Sequence, residues 1–205
     1  MENKGIKPVS WSEITTFERD SEEWYRRYIL GLREPPTFAM IQGTDIHSLV
    51  LGGGEEALRT DKYLPKEVRC HQEIKKAIEG ILEPYKMKYE HKAKIDVLGI
   101  PTLGYWDGYA KNMILELKTT SARFDSYLDS YLNQLAWYNA QHFSLTGVYP
   151  KNLLIIASTS NGKVEVEEIS LDESRVLSVF ERAEDFWEKI KPYRTKRLSR
   201  KDSLL

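Results

Sequence analysis

Residues 89–119 carry the feature that most constrains the fold. Three consecutive runs with the two-residue period of a strand occur there, Tyr89 to Val97, Thr102 to Tyr109 and Met113 to Thr119, with Gly99-Ile-Pro101 and Lys111-Asn112 as the turns. Three adjoining strands need a second layer to cover their apolar face, and the rest of the chain supplies helices for it. Ser10 followed by Glu13, and Asp20 followed by Glu23, read as capping boxes, which predicts short helices over Trp11 to Arg19 and Ser21 to Leu30, ended by Gly31. Pro35 and Pro36 break the chain. A third helix is expected from Phe38 to Leu51, stopped by Gly52-Gly53-Gly54, and a largely helical stretch from Lys66 to Met87 with Pro84 near its end. Beyond the strands come a long helix over about Ser126 to Ser144, a buried strand at Asn152 to Ser158, a tight turn at Asn161-Gly162 and a half-exposed strand at Lys163 to Ile169. A last helix runs from an Asp172 cap to about Ile190. The order, helices followed by βββαββα, predicts one α/β domain over residues 1–205: a helical part at about 10–87, a sheet-and-helix core at about 88–190 and a basic tail at 191–205.

Composition removes several function classes. Thirty Lys and Arg against 31 Asp and Glu leave a formal charge of −1, so no global positive field draws the chain to nucleic acid or membrane. Any polyanion must be held locally. Residues 191–205 carry six basic residues and one Asp, +5 against −6 over residues 1–190, so Lys191, Arg194, Lys196, Arg197, Arg200 and Lys201 form a basic end. Cys70 is the only cysteine, which excludes an intramolecular disulfide and any centre built from several thiolates. No apolar run approaches the roughly 20 residues of a membrane helix, and the opening MENKGIKPVS does not resemble a signal peptide. A reducing cytoplasm, that of the host if the source is viral, is the expected location.

The chemistry is concentrated in Gly104-Tyr-Trp-Asp107 and the following Glu116-Leu-Lys118. A hairpin about Lys111-Asn112 brings Asp107 and Glu116 near each other, and the strand period puts Glu116 and Lys118 on one face. Adjacent carboxylates repel unless a cation lies between them, and hard oxygen donors suit Mg²⁺ or Mn²⁺. Such an ion can activate water against a phosphodiester, with a lysine to orient the nucleophile. The backbone carbonyl of Leu117 would add an oxygen ligand. The plain alternatives are an Asp-Gly turn and a solvated Glu-x-Lys pair. Ile114, Leu115 and Leu117 weigh against them, because they make the strand a buried one where unpaired charge is costly.

The ordered set Gly43-x-x-x-His47, Gly104-x-x-Asp107, Glu116-x-Lys118 and Gln134-x-x-x-Tyr138 resembles the RecB-type branch of the PD-(D/E)XK nuclease superfamily. The resemblance extends from the Ser10-Trp-Ser12 helix through Trp24-Tyr25-Arg26-Arg27-Tyr28 and Gly31 to the strand after Tyr138, most of the chain. It implies a restriction-endonuclease-like α/β core, a central mixed sheet flanked by helices, with an N-terminal helical region. It also implies that Asp107, Glu116 and His47 are metal ligands, that Lys118 places the attacking water, and that Gln134 and Tyr138 support the site and contact the DNA backbone. Thr119 is a candidate phosphate donor, and Tyr105 and Trp106 are candidates to stack on unpaired bases. His71, His91 and His142 have no such support and are read as structural. Many members of this branch bind an iron–sulfur cluster through four cysteines. Asp20 stands at the first of those places, so no cluster is expected and ordinary packing must join the two ends of the chain.

The implied activity is a Mg²⁺- or Mn²⁺-dependent deoxyribonuclease, with an exonuclease acting on linear DNA in recombination, repair or viral genome processing as the first reading. An endonuclease or junction-resolving enzyme, and a catalytically silent DNA-binding subunit, stay open as alternatives. The implied partner is DNA and not a membrane, with room for a homo-oligomer and for separate recombination or replication proteins.

Overall fold

The computed structural model describes residues 7–52, 60–121 and 128–195. A six-stranded mixed sheet forms its centre, built from β1 (Val9–Ser10), β2 (Lys88–Val97), β3 (Ile100–Ala110), β4 (Met113–Thr120), β5 (Lys151–Ser158) and β6 (Val164–Ile169). The helices are α1 (Trp11–Arg19), α2 (Ser21–Trp24), α3 (Phe38–Leu51), α4 (Pro65–Leu82), α5 (Leu128–Thr146) and α6 (Glu173–Thr195). The α/β class and the sheet flanked by helices are as the sequence predicts. Gly53, Gly54, Ser126 and the bases Lys196, Arg197, Arg200 and Lys201 lie outside the described residues.

The alternation within β4 and β5 sorts two cores. Ile114, Leu154 and Ile156 face α1, α5 and α6, where Leu135, Trp137, Phe186 and Ile190 are buried. Leu115, Leu117, Leu153 and Ile155 face α3 and α4, against Ile46, Ile74 and Ile78. Each such side chain contributes roughly 1.5–3 kcal/mol by leaving water. Because Glu116 and Lys118 share the parity of Ile114, they point into the α5 layer.

The pairing of β3 creates a gap in the sheet. One edge of β3 pairs with β2 along nearly its whole length. The other edge is divided: Thr102 and Leu103 pair with β1, and Gly108 to Ala110 pair with β4. Between them, residues 104–107 have no ladder partner on that edge. The β3–β4 ladder stops at Gly108↔Leu115, one step before Asp107 would face Glu116. The β2–β3 ladder is interrupted at the same place, since Glu90, opposite Asp107, has φ +53, a conformation uncommon for a non-glycine residue.

Several local expectations are corrected. Ser10 is the N-cap of α1 but its side chain makes no cap bond, so the Ser10–Glu13 capping box does not close, and Glu13 is drawn inward, accepting from Trp24 Nε1 at 3.1 Å and pairing with Arg194. Asp20 does cap α2, accepting from the backbone N–H groups of Glu22 and Glu23. After Trp24 the helix widens into a π turn, Tyr25–Ile29. The β2–β3 turn is Leu98-Gly99, both at positive φ, and Ile100 and Pro101 belong to β3. Helix α6 runs five residues past Ile190 to Thr195, through Pro192, so the first part of the basic tail is helix. Its last turn is held by the buried Arg194–Glu13 pair and by Tyr193, whose ring lies edge-on to Trp24 at 5.9 Å. Phe17 and Phe186 complete that aromatic cluster, which joins the N-terminal helices to α6.

Candidate active site

The gap beside β3 is the mouth of a cavity of about 390 Å³. Its lining includes His47 from α3, Tyr105 and Asp107 from β3, Glu116 and Lys118 from β4, and Gln134 and Tyr138 from α5. Residues separated by up to 91 positions in sequence therefore meet on one surface.

Asp107 stands where the ladder opens. Its Oδ2 accepts the backbone N–H of Leu117 at 2.8 Å, replacing the strand-to-strand bond that β3 no longer makes. A strand residue directs its N–H and C=O to the same side, so the Leu117 carbonyl faces the same gap. Asp107 Oδ1 lies 3.6 Å from His47 Nδ1. Gly43, one turn before His47, lets α3 come this close: a Cβ there would be 2.9 Å from Thr119 Oγ1. Gly104 does the same for α5, since its Cβ would stand 2.2 Å from the Gln141 side-chain oxygen. Gln141 is buried between Trp106 Nε1 and Thr102 Oγ1.

Glu116 is 2% exposed. One carboxylate oxygen pairs with the Lys118 ammonium, and the other, Oε2, is buried without a hydrogen-bond partner among the described residues. Burial pushes the Glu116 carboxyl up to about 7; Lys118 opposes the rise and the nearby Asp107 adds to it. The Lys118 ammonium is disfavoured by burial, yet the charge and hydrogen bond of Glu116, with Asp107 and Tyr131 adding to them, together hold it above its ordinary value. Lys118 Nζ donates to Gln134 Oε1 at 2.8 Å, Gln134 Nε2 donates to the Tyr138 hydroxyl at 2.7 Å, and that hydroxyl donates to the Tyr105 carbonyl at 2.8 Å. Burial, with Glu116 next in weight, keeps the Tyr138 phenol well above its usual range, so it remains a neutral donor. The four-residue spacing of Gln134 and Tyr138 thus fixes the lysine at one end and β3 at the other.

Two expected site residues stand elsewhere. Trp106 is 1% exposed and packed among His91, Tyr109, Tyr138 and His142, so it cannot stack on a base. Thr119 is not part of the cavity lining; its parity turns it toward α3 and Gly43. Tyr105 is 54% exposed at the cavity rim. The sequence reading missed a hydroxyl-rich wall, Ser10, Ser12, Thr15 and Ser130; only the Ser10-Trp-Ser12 motif hinted at it. Tyr131, whose ring centroid is 5.4 Å from Lys118 Nζ, also belongs to the site. His71 is structural, bonded to Gln42 across α3 and α4, and His142 is bonded to the Val148 carbonyl.

Among the described residues no three His, Cys, Asp or Glu side chains stand as a ready-made ligand cluster. The donors nevertheless fit a hard divalent cation. Two carboxylates and an imidazole line one cavity, and the unpartnered Glu116 Oε2 is a buried carboxyl oxygen whose ionisation a cation would favour.

No protein-family model and no curated protein sequence matches the chain. Solved structures do. An inferred exonuclease from Eubacterium rectale superposes with a TM-score of 0.71 at 15% identity, covering 94% of this chain and 83% of that one. An alkaline exonuclease from Laribacter hongkongensis gives a TM-score of 0.56 at 12% identity, covering 90% and 88%, and the structure of that enzyme with dAMP gives 0.53. Likeness at this level of identity reports architecture: the chain has an α/β, restriction-endonuclease-like fold.

Proposed function

We propose that the chain is a metal-dependent deoxyribonuclease, an exonuclease acting on linear DNA. The observation that supports this most is the meeting of Asp107, Glu116, His47 and Lys118 at one cavity, with one Glu116 carboxylate oxygen buried and unpartnered among the described residues. The fold it shares with two exonuclease structures points the same way.

In this reading Asp107, Glu116, His47 and the Leu117 carbonyl hold Mg²⁺ or Mn²⁺. When bound, that ion supplies Lewis acidity at the phosphate and lowers the pKa of a water. Lys118 has three ammonium N–H donors; Glu116 and Gln134 take two, leaving a third to orient the attacking water. Gln134 and Tyr138 hold Lys118 at a fixed distance from β3, so the nucleophile is placed before the DNA arrives. The hydroxyls of Ser10, Ser12 and Ser130 suit the uncharged contacts that position a phosphate. Recombination, repair or viral genome processing is the setting that the sequence resemblance implies.

End-labelled linear and closed circular DNA, single-stranded and duplex, incubated with Mg²⁺, Mn²⁺ or chelator, tests this. Linear DNA should be degraded with either ion, with circles and chelated samples intact. Cut circles would establish the endonuclease alternative, and no cleavage under any condition would refute the enzyme assignment.

A further inference from the structure

We propose that the DNA strand leaves the cavity as a single strand over Tyr105 and onto the edge strand β2, where Lys92 and Lys94 take its next phosphates. This deepens the nuclease reading and rests on it. Tyr105 connects the two regions: it lines the cavity and is 54% exposed at its rim. Its ladder partner on β2 is Lys92, whose ammonium lies 5.4 Å from the ring centroid. The next pair on the same face, two residues along, is Lys94↔Leu103, and Leu103 also lines the cavity. The row therefore runs from the acidic gap, across an exposed aromatic ring, to two lysines.

Among the described residues neither lysine is engaged in an ion pair. The acidic residues on this face of β2 are Glu90 and Asp96, one on each side of the lysine pair. Asp96 is turned back to cap the Leu98-Gly99 turn, accepting from the Gly99 N–H at 2.7 Å, and Glu90 is displaced by its positive φ. Lysines on an edge strand also deter pairing with other chains, a role that calls for no aromatic ring and no continuity with a cavity. The ring favours single-stranded nucleic acid, because only an unpaired base offers its face for stacking. A protein whose net charge is −1 needs such a local cationic row to hold a polyanion.

Fluorescence anisotropy with 5′-labelled oligo-dT and a duplex of equal length, on the full chain in chelator, is the test. Tyr105→Ala should weaken single-strand binding roughly 5- to 150-fold while Tyr105→Phe retains it, with duplex binding unchanged. The double variant Lys92→Glu, Lys94→Glu should lower the salt slope of single-strand binding by about 1.4, the value for two phosphate contacts. The charge-matched double variant Lys66→Glu, Lys76→Glu on α4 should keep the wild-type slope. Wild-type affinity and slope in the rim variants would overturn the inference. Loss of binding in that α4 control equal to the loss in the β2 double variant would also overturn it, by showing a diffuse charge effect. Turnover with added Mn²⁺ is scored separately: a wild type that binds through the rim but cleaves nothing would refute the nuclease reading and leave the rim standing.

Discussion

The carboxylate of Asp107 accepts the backbone N–H of Leu117 at 2.8 Å, so an acidic side chain occupies the place of a β3 carbonyl where β3 and β4 part. This bond fixes Asp107 in the gap and aligns it with Glu116, one residue before Leu117. Asp107→Asn keeps an acceptor for that N–H but removes the charge. It should therefore fold with a Tm close to wild type and lose at least about 100-fold in cleavage rate. Thermal melts and single-turnover kinetics check this; substantial cleavage by the variant would remove Asp107 from the ion site.

Glu116 and Lys118 should be equally indispensable. Glu116→Ala and Lys118→Ala are expected to abolish cleavage while leaving the circular dichroism spectrum largely intact, since each side chain faces the cavity. Gln134→Leu removes the acceptor that holds Lys118 and the amide donor to the Tyr138 hydroxyl, and the expected result is partial, a lower kcat with little change in KM.

The pH dependence of stability follows from Glu116. Its carboxyl titrates at about 7 in the fold against an ordinary value of 4.5, through burial first. Between those values the folded chain holds a proton that the unfolded chain has lost, so stability falls as pH rises through this window. Urea midpoints at pH 5 and pH 8, without divalent ions, should differ more for wild type than for Glu116→Gln; parallel curves would contradict the assignment.

The Glu13–Arg194 pair ties α1 to α6 in a dry setting, with side chains 1% and 4% exposed. Burial raises the Glu13 carboxyl, and Arg194 is the principal force opposing the rise. Arg194→Met leaves an unpaired buried acid and should cost about 3–5 kcal/mol, whereas the double change Glu13→Leu, Arg194→Met should recover most of that loss. Denaturant unfolding of the single and double variants measures it.

Gly43→Ala tests how closely α3 must approach the sheet. The added methyl meets Thr119 Oγ1 at 2.9 Å, a few tenths of an ångström too near, and the helix carrying His47 must shift. Activity should fall roughly tenfold or more with a Tm loss of only a few degrees. Gly104→Ala, at 2.2 Å from the Gln141 side-chain oxygen, should destabilise the fold by about 1–3 kcal/mol.

The features legible in the sequence were those encoded by local periodicity. Strands β2 to β6 and helices α3 to α6 follow from hydrophobic spacing, and the hairpin geometry that brings Asp107 to Glu116 follows from counting across Lys111-Asn112. Long-range contacts were not legible. Nothing near Glu13 announces Arg194, 181 positions away, and the capping-box pattern at Ser10 concealed a buried acid. Two-residue β1 carries too little pattern to be seen and owes its pairing to β3. Trp106 was misassigned because proximity to Asp107 in sequence says nothing about which layer a strand residue enters, and Tyr105 beside it does face the cavity.

Calorimetric titration of Mn²⁺ into the wild-type chain and into Glu116→Gln, beside the same proteins in the linear-DNA assay, is the decisive check on the proposed ion site. Wild type should show saturable uptake, strongly weakened in the variant, with cleavage following occupancy. DNA degradation that persists in chelator, or wild-type protein that takes up no ion at concentrations supporting cleavage, would contradict a metal-dependent nuclease.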